Sequence, residues 1–135
     1  MHRLSPLIVV VAALAIFCAA ASSAPTRSTI TLVLPGSSLT SKATAGSPTF
    51  GSKVTFLVNT SATAMPWVEN QCFQGRRLVY SQTHGLFDGY LAAPIFTLGP
   101  TPSWTGGSAD CTATLFSYDG GKRKNLATTT FTVAD

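Results

Sequence analysis

Trp67-Val68-Glu69-Asn70-Gln71-Cys72-Phe73-Gln74-Gly75-Arg76-Arg77-Leu78-Val79-Tyr80-Ser81-Gln82 is the stretch that decides the fold class of this chain. Trp67 to Phe73 suits a strand with a side-chain period of two, and two registers are available to it. One turns Val68, Asn70 and Cys72 inward; the other turns Trp67, Glu69, Gln71 and Phe73 inward. The first is adopted, because the second would bury Glu69 and Gln71 together, and a buried carboxylate without a partner is costly. Gln74-Gly75 then turns the chain into a second strand, Arg77 to Gln82, whose facing the pattern leaves open.

Outward from this hairpin the same grammar repeats. Thr29 to Leu34 places Ile30, Leu32 and Leu34 on one face and stops at Pro35-Gly36, and Ser37 to Thr49 is a polar crossing. Ser52 to Asn59 turns Val54, Phe56 and Val58 inward before a loop around Ser61 to Pro66. After the pair comes an irregular connection, Thr83 to Pro94, then a short strand, Ile95 to Leu98, and the break Gly99-Pro100-Thr101-Pro102. Asp110 to Ser117 sets Cys111, Ala113 and Leu115 on one face, Asp119-Gly120-Gly121 turns the chain, and Leu126 to Val133 closes the core with Phe131 and Val133. No segment has helical periodicity.

Composition agrees with this reading. The 135 residues include 19 threonines and 8 phenylalanines, 45% are hydrophobic and 10% are charged, which suits strands and argues against disorder, a coiled coil or a helical bundle. The length fits one domain and excludes a core plus a separate catalytic module.

The amino-terminal segment is of a different kind. Arg3, the apolar run Leu7 to Phe17 and the small residues Ala19-Ala20-Ala21 read as a secretory signal. Leu7 to Ala21 is shorter than the roughly 20 residues that span a bilayer. Cleavage is expected after Ala21, with Ala24 as the other position that satisfies the small-residue rule, although Pro25 would follow it. Cys18 leaves with the peptide. The expected organisation is a signal peptide over 1–21, a flexible mature amino terminus over 22–27 and one domain over 28–135. The expected location is extracellular, free or associated with the cell envelope, with no membrane span after cleavage. The mature chain carries eight Lys and Arg against five acids, a net charge of +3.

Two cysteines, Cys72 and Cys111, remain in a chain bound for an oxidising compartment, so a disulfide is expected. A loop of that length corresponds to about 4 kcal/mol in the chain-entropy estimate.

Seven short strands with turns at nearly regular spacing fit an all-β, immunoglobulin-like or fibronectin III-like sandwich with strands A, B, C, C′, E, F and G. Cys72 then falls on C and Cys111 on F, neighbours in one sheet, which makes the bond cross-strand and unlike the inter-sheet bridge of antibody domains. Asp110 precedes Cys111 and Ala109 stands where antibody domains carry a tyrosine. The runs Pro66-Trp67-Val68 to Cys72, Gly75 to Tyr80, Phe96 to Trp104 and Gly107-Ser108-Ala109-Asp110-Cys111 resemble those of secreted bacterial immunoglobulin-like domains. The resemblance covers most of the mature chain, rests on scaffold motifs, and implies a fold without a specific activity.

Chemistry-bearing constellations are few. His84, the one histidine of the mature chain, is read as a solvent-exposed loop residue, and a small secreted hydrolase would need it beside a nucleophile and an acid. The disulfide leaves no thiolate for nucleophilic attack or zinc. Among the acids, Asp119 belongs to a turn and Asp135 is terminal, leaving Asp88 with Asp110 as a weak pair for glycoside cleavage. No calcium loop or phosphate-cradling motif is present, and neither catalytic residues nor a cofactor are expected. Asn59-Thr60-Ser61 is a glycosylation sequon if the source is eukaryotic.

Basic residues gather at two turns, Arg76-Arg77 and Lys122-Arg123-Lys124. These turns fall at opposite ends of the sandwich, so they are read as solvated hairpin tips with no specific nucleic-acid surface. Phe87, Asp88, Tyr90 and Trp104 are the candidate ligand-binding residues, since aromatics on loops held by a rigid sandwich stack on sugars or anchor a protein. For Trp104 a lid over one end of the core is the other reading. The expectation is therefore a secreted, non-enzymatic binding, adhesion or envelope-associated structural module for a cell-surface or secreted protein or a polysaccharide. A small carbohydrate-binding module is the alternative.

Overall fold

The computed structural model describes residues 27–35, 46–88 and 94–135. The signal segment over 1–21, most of the polar crossing and Tyr90 lie outside the described residues. Seven strands follow one another: β1 (Thr29–Val33), β2 (Lys53–Asn59), β3 (Trp67–Gln74), β4 (Arg77–Gly85), β5 (Phe96–Thr97), β6 (Ala109–Asp119) and β7 (Lys122–Val133). They form two antiparallel sheets, ordered β1-β2-β5 and β4-β3-β6-β7. The chain is thus an all-β sandwich, as its alternation predicts. Among the described residues no helix is long and apolar enough to cross a membrane.

The register of β3 follows the electrostatic argument. Val68, Asn70 and Cys72 are fully buried, whereas Glu69 lies on the outer face and pairs with Arg123 at 2.7 Å. Cys72 stands directly opposite Cys111, and the two are disulfide-bonded with their Cα atoms 4.0 Å apart. The bond therefore joins neighbouring strands of one sheet. Both sheets contribute to one core, with Val54 and Phe56 from β2, Phe96 from β5, and Val68, Ala113, Leu115 and Val133 from the larger sheet.

Two hairpins show why glycine sits where it does. Gly120 and Gly121 have φ of 55° and 78°, the double left-handed geometry that lets a two-residue turn follow the twist of its strands. Gly75 supplies φ of 61° at the first turn position between Gln74 and Arg77.

Some boundaries differ from those expected. Thr83, His84 and Gly85 continue β4 and pair with Glu69, Val68 and Trp67. His84 is therefore a strand residue rather than a solvated loop residue: its ring packs edge-on against Phe96, with centroids 4.7 Å apart. A bulge opposite Cys72 and Phe73 settles the facing that the pattern left open, since it lets the consecutive residues Val79 and Tyr80 both be buried. Lys122, Arg123 and Lys124 begin β7 instead of belonging to the turn, which consists of Gly120 and Gly121 alone.

Candidate functional site

Antiparallel pairing of β3 with β6 sets Trp67 opposite Phe116 at one end of the larger sheet. Phe116 and Tyr118, two residues apart in one strand, share a face, the outer one, and their rings meet at 5.5 Å and 87°. Trp67 lies edge-on to Tyr118 at 6.3 Å and to Phe87 at 5.4 Å. Tyr118 is 59% exposed and the adjoining Met65 is 55% exposed, while Phe116 beneath them is buried. Four aromatic rings, drawn from β3, β6 and the segment after β4, thus gather at the end where the β2–β3 loop and the β6–β7 hairpin also lie.

Two open concavities border this cluster and share the loop residues Thr63 and Ala64. The first, about 350 Å³, is lined by Val58, Thr60, Pro66, Leu86, Phe87 and Asp88 besides those two. The second, about 390 Å³, is lined by Met65, Trp67 and Tyr118 with the same two residues. The loop between them is held by its own hydroxyls. Thr60 Oγ1 accepts from the Ala62 amide at 3.1 Å and meets Ser28 Oγ at 2.8 Å, and Thr63 Oγ1 accepts from the Met65 amide at 3.0 Å. Backbone bonding from the Leu86 amide to the Pro66 carbonyl at 2.9 Å fixes the start of the Phe87 segment beside it.

Phe87 and Asp88 therefore come together in one concavity, as their adjacency suggests. Trp104 does not join them, and its place among the binding residues is corrected here: it is fully buried, edge-on to Phe50 at 5.3 Å and to Tyr80 at 6.2 Å. Its indole Nε1 donates to the Gly107 carbonyl at 2.9 Å, which satisfies its one polar atom inside the core. Trp104 lids the core and presents no face to a ligand.

The basic residues stay apart. Arg76 and Arg77 are exposed beyond the end of β3 that pairs with Asp110, whereas Lys122, Arg123 and Lys124 stand by the aromatic cluster. Arg123 is engaged three ways: with Glu69, with the Phe116 ring at 4.0 Å, and by Nε donation to Asn125 Oδ1 at 3.0 Å. Its charge is compensated locally by Glu69, whereas Lys122 and Lys124 stay exposed beside it.

Neither ring nitrogen of His84 has a hydrogen-bond partner, and both are shielded from solvent, so no relay to an acid or hydroxyl is formed there. Among the described residues no three His, Cys, Asp or Glu side chains are grouped to hold a metal ion. Met65, Phe116 and Tyr118 were not singled out by sequence. The signal for the two aromatics is Phe116-Ser117-Tyr118, alternation continuing past Leu115 on the opposite face, which becomes informative only once Trp67 is known to lie across from it. Comparison of the chain with protein-family models, curated proteins and solved structures finds no match.

Proposed function

We propose that this chain is a secreted, non-enzymatic immunoglobulin-like domain acting as a binding or adhesion module at or outside the cell surface. The observation that carries the reading is the cluster of Trp67, Phe87 and Tyr118 around the two concavities at one end of the sandwich. Large aromatics with an exposed methionine and an arginine, held by rigid strands, are the composition of recognition hot spots. The strand orders correspond to A-B-E and C′-C-F-G in the letters used above, the arrangement expected of a fibronectin III-like sandwich. In that arrangement the B–C and F–G connections share the end at which immunoglobulin domains commonly bind. Secretion is supported by the amino-terminal apolar segment and by the disulfide.

A carbohydrate ligand is the second reading. Asp88, Thr60 and Thr63 line one concavity with Phe87, and a carboxylate with hydroxyls beside an aromatic ring suits sugar hydroxyls and an apolar sugar face. The Trp67 and Tyr118 planes meet at 74°, so they form a notch rather than a flat stacking platform.

The test is binding of the purified mature chain to polysaccharides, cell-wall preparations and immobilised extracellular proteins, with Tyr118→Ala and Asp88→Asn variants alongside. Saturable binding that Tyr118→Ala loses while keeping the native circular dichroism supports the module. Loss in Asp88→Asn on a glycan surface favours the sugar reading. Absence of binding to every surface, or binding unaffected by Tyr118→Ala, overturns the assignment of this end.

A further inference from the structure

We propose that Asn70 and His84 together hold an ordered water molecule between the two sheets. Asn70 is fully buried, and neither its amide nitrogen nor its amide oxygen has a partner in the protein. The same holds for Nδ1 and Nε2 of His84, and these four are the orphaned buried side-chain atoms among the described residues. The two side chains are neighbours. Val68 pairs with His84 and Asn70 with Gln82, so Asn70 and His84 occupy diagonal positions on one face of the β3–β4 ladder, about 7 Å apart on general sheet geometry.

No direct bond joins the two side chains, and a diagonal spacing of this size is compatible with two hydrogen bonds through one oxygen. Ala113, the residue opposite Asn70 on β6, is fully buried and carries only a methyl group, so it brings little bulk and no polar side-chain atom to the pair. On its far side the pair meets apolar wall, since the Phe96 ring of the smaller sheet stands edge-on to His84 at 84°.

One bridging water answers two of the four orphaned atoms. An amide supplies two donors and an acceptor, and a neutral imidazole supplies one of each, so a water accepts from Asn70 Nδ2 and donates to the bare His84 nitrogen with capacity to spare. Buried waters typically make about three such bonds and are costly to remove, whereas four unpartnered polar atoms in one core are rarely tolerated.

The experiment combines direct detection with a mutant cycle. Water–protein cross-relaxation in the NMR spectrum of the mature chain is expected at the Asn70 side-chain amide, and a high-resolution crystal structure is expected to show one oxygen bonded to both residues. Asn70→Leu and His84→Phe are each expected to reduce the folding equilibrium constant about tenfold, because each leaves the remaining partner half satisfied. The double variant is expected to lose less than the product of the two, with a coupling of about fivefold or more. A dry site, a direct Asn70–His84 bond, or strictly additive losses overturns the proposal. If a variant does not fold, the detection of water in the unaltered protein decides alone.

Discussion

The guanidinium carbon of Arg123 lies 4.0 Å from the centroid of the Phe116 ring, covering an outer-face aromatic that is only 1% exposed. Stacking of this kind contributes about 0.5–1 kcal/mol at partly exposed sites. The Glu69 pair on the same guanidinium, with side chains 36% and 21% exposed, adds about 1 kcal/mol or less after screening. Arg123→Ala is expected to lower stability by about 1–2 kcal/mol in urea unfolding, and most of that loss is expected to persist at high salt because it reflects uncovering of Phe116. Arg123→Lys keeps the charge without the planar fork and is expected to recover less than half. A loss that disappears at high salt would assign the effect to the ion pair instead.

Reduction of the Cys72–Cys111 bond is expected to cost about 4 kcal/mol, a large part of the stability of a domain this size. The Cys72→Ala, Cys111→Ala double variant is expected to show a corresponding fall in its urea midpoint. The check is whether reductant lowers the midpoint of the unaltered protein and leaves the double variant unchanged.

Gly99 has φ of 85°, and a methyl group added there would collide with the Phe50 ring, which itself packs against Trp104. Gly99→Ala thus combines left-handed backbone strain with displacement of an aromatic pair, and a loss of about 2–3 kcal/mol is expected. The displacement is readable in fluorescence: with Trp67→Phe removing the other indole, the emission of Trp104 is expected to be blue-shifted and poorly quenched by iodide, and red-shifted once Gly99→Ala is added. Efficient quenching in the Gly99 parent would contradict the burial of Trp104.

Burial raises the Tyr80 phenol above its ordinary range, and its hydroxyl donates to Gln82 Oε1 at 2.5 Å. Because the folded state keeps a proton that the unfolded state releases near pH 10, the stabilisation is complete below that pH and is lost as pH rises beyond it. Denaturant midpoints are expected to fall steeply above pH 10, and the Tyr80→Phe variant is expected to show a shallower decline. Ultraviolet titration is expected to show one tyrosine ionising only as the chain unfolds.

The sheet that organises the molecule is legible in local sequence to the extent that each strand has a buried and a solvated face. Glu69 decides the facing of β3, the two cysteines follow from it, and Gly120-Gly121 announces its hairpin. What resists reading is polar sequence with a core-facing position. Tyr80-Ser81-Gln82-Thr83-His84-Gly85 looks like a strand dissolving into a loop, because Gln82 and His84 occupy the positions that alternation would give to apolar residues. Trp104 misleads in the opposite sense. Its neighbours Pro102, Ser103, Thr105 and Gly106 describe a surface loop, and only the arrival of Phe50 and Tyr80 from other elements shows that the ring is enclosed. The cluster around Trp67 depends on long-range pairing between β3 and β6, which no local pattern carries.

The disulfide and the aromatic end lie at opposite extremities of the same two strands. Cys72 and Cys111 clasp β3 to β6 near the Gly75 turn, whereas Trp67, Phe116 and Tyr118 stand where those strands meet the 60–66 loop and the Gly120-Gly121 hairpin. Covalent fastening and the exposed aromatic surface thereby fall at different poles. A library randomised over 61–65, with Gly120 and Gly121 kept, can vary the aromatic end without touching the clasp, which makes this small sandwich a scaffold whose tip is insulated from its foundation.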